Sequence, residues 1–180
     1  MRVISGKARG TTLKTPDGMA TRPTSDREKE ALFSIIQFDI PCANVLDLFG
    51  GTGQLGIEAL SRGAKSAVFV DSRADACKII QENLKRSNFT SDAKVVRCDY
   101  LTFLRNNKEK YDIILLDPPY AETFLENSLK TITEIDILQS GGIIVTERPY
   151  GKTLDLVFPG FSRSKDYKYG STVLTLYRKD

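Results

Sequence analysis

The sequence predicts an α/β domain, a mostly parallel sheet with helices on both faces. Three observations predict it. Short apolar runs at 44–49, 67–70, 94–98, 111–116 and 143–146 alternate with segments of helical spacing or glycine turns. The run Ile113-Ile114-Leu115-Leu116 is apolar without alternation, as in a strand buried on both faces. Three of the runs stop just before an acid, at Asp71, Asp99 and Asp117, and Asp47 lies near the end of the first, before its glycine loop, which is where ligands meet an open α/β sheet. At 180 residues the chain is long enough for one domain with a real core and short for two. One domain over 1–180 is expected, with 1–24 a basic extension and 25–180 the core.

The elements follow in order. Residues 1–14 read as a basic β-hairpin that turns at Lys7-Ala8-Arg9-Gly10. A loop rich in turn formers, Thr15-Pro16-Asp17-Gly18 and Thr21-Arg22-Pro23-Thr24, leads to Ser25, which with Glu28 forms a capping box. The helix behind it has Ala31, Leu32, Ile35 and Ile36 as its apolar face, and Pro41 closes the section. Strand 44–49 runs into a glycine loop and a helix reaching Ser61. Strand 67–70 is followed by a helix capped by Ser72 and Asp75, with Cys77, Ile80 and Leu84 inward. Strand 94–98 precedes a short helix carrying Leu101 and Leu104. Strand 111–116 precedes a helix over 124–132. Gly141-Gly142 turns into strand 143–146. Strands at 154–158 and 171–177 have no long helix between them, so an edge hairpin with an antiparallel strand is expected.

Composition narrows the function. A hydrophobic share of 41% and a charged share of 27% describe an ordinary soluble globular protein. No apolar stretch has membrane-spanning length and the start lacks a signal-peptide core, so a cytoplasmic protein off the membrane is expected. Cys42, Cys77 and Cys98 lack the spacing of a zinc site or disulfide framework and read as reduced core thiols; no metal is expected. Without histidine, imidazole chemistry is excluded. The net charge is +3, but residues 1–23 carry five basic residues against one acid, and residues 161–180 five against two. Basic ends on a near-neutral body fit a polyanion partner, although solvated surface charge explains most such clusters.

Gly51, Gly53 and Gly56 form a G-x-G-x-x-G between a strand and a helix, the context that motif requires. Asp71 lies twenty residues after Gly51, placed for ribose hydroxyls. NAD is the obvious ligand of such a loop, which makes an oxidoreductase the rival enzyme class. Asp47 argues against it, because a carboxylate just before the loop opposes a pyrophosphate and suits the ammonium of a methionine moiety. Asp99, at the third strand's end, can receive the adenine amine or merely cap the next helix. Three acids at three strand ends favour S-adenosylmethionine. Asp117-Pro118-Pro119-Tyr120 then supplies the amine site. The Asp117 carboxylate and the Pro118 carbonyl accept from an NH₂ group, the prolines stiffen the backbone without a competing N–H, and Tyr120 stacks on the base.

Several stretches together resemble the bacterial RsmD-like family of 16S rRNA guanine-N2 methyltransferases, within the Rossmann-like class I S-adenosylmethionine-dependent fold. They are Arg2-Val3-Ile4-Ser5-Gly6, Arg9-Gly10, Thr21-Arg22-Pro23-Thr24-Ser25-Asp26-Arg27, Leu46-Asp47-Leu48-Phe49, Leu55-Gly56-Ile57-Glu58-Ala59-Leu60 and Leu116-Asp117-Pro118-Pro119-Tyr120. The glycine loop and Asp-Pro-Pro-Tyr place only the superfamily, and the N-terminal stretches narrow it. Gly50 departs from the alanine and serine expected in relatives. The resemblance implies a seven-stranded sheet and methylation of one guanine N2, with the base flipped out of its stack. The RNA would lie in the small ribosomal subunit or its assembly intermediate, met by a monomer. It implies cofactor contacts from Asp47, Phe49, Gly51, Gly53, Gly56, Asp71, Asp99 and Asp117. Catalysis falls to Asp117, Pro118, Pro119 and Tyr120, and RNA contacts to Arg2, Lys7, Arg9, Arg22 and Tyr120. The alternatives are an adenine-N6 methyltransferase on DNA or RNA, and a non-catalytic RNA-binding module.

Overall fold

The computed structural model describes residues 1–16, 26–119, 123–154 and 156–180. The expected loop at 17–25, with Arg22 and the Ser25 cap, and the motif residue Tyr120 lie outside them. Eight strands form one sheet in the order β3-β2-β1-β4-β5-β8-β6, with β7 also paired to β8. The parallel part comprises β1 (Asn44–Asp47), β2 (Ser66–Asp71), β3 (Ala93–Arg97), β4 (Tyr111–Leu116) and β5 (Leu138–Pro149). β8 (Thr172–Lys179) runs antiparallel to β5. The expected seventh strand is two short pieces on one edge of β8, β6 (Phe161–Arg163) and β7 (Tyr167–Tyr169).

Helices α1 (Asp26–Ile35), α2 (Gln54–Ser61), α3 (Ala74–Arg86), α4 (Tyr100–Asn106) and α5 (Phe124–Ile135) cover the sheet, with a 3₁₀ turn at Thr90–Asp92. Successive residues of the central strands feed two cores. Val45, Ile113, Leu115, Ile143 and Val145 face α1, α2 and the N-terminal arm. Leu46, Ile114, Leu116 and Ile144 face α4 and α5. This two-sided burial is why the runs read as continuously apolar. Gly56 makes close packing of α2 possible, since a Cβ there would stand 2.3 Å from the Phe69 ring.

Several expectations need correction. No strand forms over 154–158 among the described residues; Leu154 and Phe158 are apolar because they pack on the α5-side core. Gly141-Gly142 is not a turn before β5 but an irregularity within it, where the register moves from Tyr111↔Leu138 to Ile113↔Ile143. Gly141 takes φ +73, and a Cβ on Gly142 would approach the Asp112 carbonyl at 2.9 Å. The N-cap of α3 is Arg73, with no side-chain cap; Ser72 does not fill that role, and Asp75 sits 3.8 Å from Arg73 instead. Cys77 is buried, but Cys42 is exposed in the turn after Pro41 with φ 64. On α1 the buried face includes Lys29 and Phe33, while Ala31 and Ile35 are only half-buried.

The N-terminal segment is antiparallel as expected, with one bridge between Arg2 and Thr12. The Val3 amide donates to the Thr11 carbonyl at 3.0 Å, and the Gly10 amide to the Val3 carbonyl at 2.9 Å. Its apolar residues Val3, Ala8 and Leu13 join the main core, so this basic arm is built into the body.

Candidate active site

The carboxyl edge of β1, β2 and β4 brings three acids together. β1 ends at Asp47, whose Oδ2 accepts the Gly56 amide at 3.0 Å and so ties the strand to the first turn of α2. β2 ends at Asp71, whose Oδ2 accepts the Gly51 amide at 3.0 Å and whose Oδ1 accepts the Arg73 amide at 2.9 Å. Asp117 follows the last residue of β4. The glycine loop is thus clamped between two carboxylates from adjacent strands. Gly51 and Gly53 have φ of 56 and 79, backbone that L side chains rarely adopt.

Burial raises the Asp47 carboxyl from 3.8 to about 7; the charges of Asp117 and Asp71 push the same way, against the Gly56 hydrogen bond. The native state holds this proton across a range where the unfolded chain has lost it. The resulting stability is therefore full below about pH 4 and is lost as pH rises toward 7 and beyond. A rise of this size corresponds to roughly 4 kcal/mol. Denaturant unfolding between pH 4 and 8 is expected to show this downward contribution in the parent chain, and Asp47→Asn should flatten it. Equal slopes in the two proteins would refute the assignment.

The donor set fits a cationic amino-acid nucleoside. Three carboxylates crowd one rim, and a cation relieves their mutual repulsion where a pyrophosphate would increase it. Gln54, at the start of α2, contributes a buried Oε1 with no hydrogen-bond partner among the described residues, an acceptor suited to an ammonium. Asp99 caps α4, its Oδ1 accepting the Thr102 amide at 3.0 Å. Beside it, Tyr100, Phe49 and Phe124 form an aromatic group, with Phe49 centroids 5.2 Å from Tyr100 and 6.1 Å from Phe124. Among the described residues, no three His, Cys, Asp or Glu side chains are grouped to hold a metal ion, and no helix is long and apolar enough to cross a membrane.

Pro118 and Pro119 line a cavity at the ends of β4 and β5, together with Glu147, Arg148, Pro149 and Leu154. Arg148 is fixed there, donating through Nε to the Lys152 carbonyl at 2.9 Å and pairing through Nη2 with Asp166. The arm reaches the same rim from the other side. Asn83, fully buried on α3, accepts the Lys14 amide at 2.7 Å through Oδ1 and donates through Nδ2 to the Thr52 carbonyl of the glycine loop at 2.9 Å. Glu58 accepts the Ile4 and Ser5 amides at 2.8 and 3.0 Å, and Ser61 Oγ accepts the Ala8 amide at 2.9 Å. Lys7 and Arg9 stand exposed on this anchored backbone, while Arg2 pairs with Asp26 at 2.9 Å.

The structure therefore joins Asp47, Gly51, Gly53, Gly56, Asp71 and Asp117, and sets Phe49 and Asp99 beside them. Sequence reasoning missed Gln54, Asn83, Tyr100 and Phe124. Glu58 stood inside a stretch that carried the resemblance, without a role.

This strand order, with a glycine loop after its first strand and Asp-Pro-Pro after its fourth, is the Rossmann-like fold of class I methyltransferases. The family described as conserved hypothetical protein 95 matches residues 1–178. YlbH of Bacillus subtilis (strain 168) is 38% identical over 182 residues, covering 99% of each chain. Ribosomal RNA small subunit methyltransferase D of Escherichia coli (strain K12) is 32% identical, covering 100% of this chain and 90% of its own. The solved structure of Escherichia coli yhhF superposes with a TM-score of 0.90 at 30% identity, covering 100% and 98% of the two chains. The chain belongs to this family, the RsmD-like family.

Proposed function

We propose that the protein is an S-adenosylmethionine-dependent rRNA methyltransferase. Its target is the exocyclic N2 of one guanine in 16S rRNA, within the small ribosomal subunit or its assembly intermediate. The observation that carries this reading is the convergence of Asp47, Asp71 and Asp117 around the glycine loop, with Pro118-Pro119 at its edge. When bound, S-adenosylmethionine supplies a methyl group already activated on a sulfonium. Asp47 and Gln54 would hold the amino-acid end, Asp71 the ribose, and Asp99 with Phe49 and Tyr100 the adenine. The family relative named as a small-subunit rRNA methyltransferase supports the substrate class.

An amine conjugated to a purine ring is a poor nucleophile. Asp117 and the Pro118 carbonyl accept its two N–H groups and fix the nitrogen in line for attack, so most of the acceleration comes from positioning. Reaching them requires the base to leave its stack, and Tyr120 offers it a new stacking partner. Lys7, Arg9 and Arg2, with Arg22, grip the phosphates. Replacing Lys7 and Arg9 together with alanine should weaken RNA binding and lower the slope of log affinity against log salt by roughly 2. An unchanged slope would remove the arm from the interface.

The direct test is to map methylated nucleotides in rRNA from cells with and without this protein. One N2-methylguanine in 16S rRNA should be missing from the deleted strain and return with the gene. A complete pattern in both strains refutes the proposal.

A further inference from the structure

Past Asp117 the rim turns from acidic to basic. Asp71, Asp47 and Asp117 stand at the carboxyl ends of β2, β1 and β4, and the next strands in the sheet are β5 and β8. β8 runs antiparallel to β5, so it begins where β5 stops, with Thr172 opposite Pro149. β7 ends at the same place, where Lys168 pairs with Val173 and Tyr169 with Thr172. Tyr150 follows Pro149 and is 61% exposed. The Lys168 ammonium lies over its ring, 3.4 Å from the centroid. Lys152 is also exposed and lines the cavity of Pro118 and Pro119, as does the exposed acid Glu126 of α5. The nearby Asp166 carboxylate is matched by two guanidiniums, those of Arg148 and Arg163.

The turn that carries Tyr150 is fixed from behind. The Tyr150 amide donates to the Ser171 carbonyl at 2.7 Å. Arg148 Nε donates to the Lys152 carbonyl and Arg163 Nη2 to the Leu154 carbonyl, each at 2.9 Å. Arg148 is itself buried, with Nη1 donating to Thr175 Oγ1 at 2.7 Å. Tyr150 is thus presented in solvent on a backbone already held in place, so little freedom is lost when a partner covers it. A cation over an exposed ring adds little to folding. A stacking face flanked by ammoniums is what single-stranded nucleic acid binds. We propose that Tyr150, Lys168 and Lys152 form a second rRNA contact, on the side of Asp117 away from the glycine loop. Tyr150 stacks on a nucleotide neighbouring the flipped guanine, and the two ammoniums take the phosphates around it. The contact rests on the rRNA reading above and extends it to the nucleotides beside the target.

The test measures methyl transfer by the full chain from labelled S-adenosylmethionine to small ribosomal subunits. Tyr150→Ala should raise KM for the subunits by roughly 5–100-fold, the cost of losing one base–aromatic stack. Its kcat and its S-adenosylhomocysteine affinity should stay near the parent values, because the lost contact is made equally before and during transfer. Tyr150→Phe keeps the ring and should behave as the parent. Lys168→Ala should lower the slope of log affinity for subunits against log salt by roughly 1. A parent-like KM in Tyr150→Ala, or a Phe variant as impaired as the Ala variant, overturns the stacking role and leaves the methyl-transfer reading intact. Weaker binding by Tyr150→Ala with an unchanged salt slope in Lys168→Ala gives this surface to a protein of the subunit and overturns the RNA contact. A parent chain that transfers no methyl to small subunits overturns the rRNA reading and this contact with it.

Discussion

Replacing Asp117 with alanine should cut methyl transfer by roughly 10²–10³-fold or more, the scale seen when one preorganised group at a reacting centre is removed. Cofactor affinity should change only a few-fold. The glycine loop is held by Asp47 and Asp71 through the Gly56 and Gly51 amides, and neither bond involves Asp117. Loss of the Asp117 charge also eases one of the forces that keeps the Asp47 carboxyl high. Asp117→Asn, which keeps one acceptor, should fall between the parent and alanine. Single-turnover rates with small subunits, set beside S-adenosylhomocysteine titrations, separate the two effects. An alanine variant with normal turnover would show that the amine is held by other groups.

The largest stability effect is expected at Glu58. Its carboxylate, fully buried, takes the Ile4 and Ser5 amides, the Arg62 guanidinium at 2.8 Å and the Lys29 ammonium at 3.5 Å. Lys29 is itself fully buried and donates to the Arg2 carbonyl at 2.5 Å; burial draws its ammonium below the usual lysine range. Glu58→Ala strands that cation and two amides together. The expected loss is about 3–5 kcal/mol in urea unfolding, the usual consequence of removing one partner of a buried pair. Adding Lys29→Met to the same chain removes the stranded charge and should recover part of the loss. A single variant within 1 kcal/mol of the parent would mean that the arm is not anchored there.

These two residues also mark how far the sequence could be read. The place of Asp117 was legible because the unbroken apolar run that ends at Leu116 puts the next residue at the carboxyl edge of the sheet. The parallel sheet was legible because its strands are buried on both faces, so burial shows directly as unbroken apolar runs. Lys29, Glu58, Ser61 and Asn83 were not legible. Each is a polar residue on a helix whose pairing depends on a segment 27 to 69 residues away in sequence. The pairing of Lys168 with the Tyr150 ring was hidden similarly, since it follows from the register of β5, β8 and β7, which no local pattern specifies. The strand expected at 154–158 failed for the converse reason. Apolar spacing there serves packing of a loop against α5-side residues rather than pairing.

The central claim is that donor and target amine meet at one rim, between the glycine loop and Asp117. A crystal of the protein with S-adenosylhomocysteine tests it most directly. The account predicts the ribose at Asp71, the amino-acid end at Asp47 and Gln54, and the sulfur opening toward Asp117 and Pro118. A nucleoside bound away from the glycine loop, or a sulfur turned from the proline pair, would contradict it.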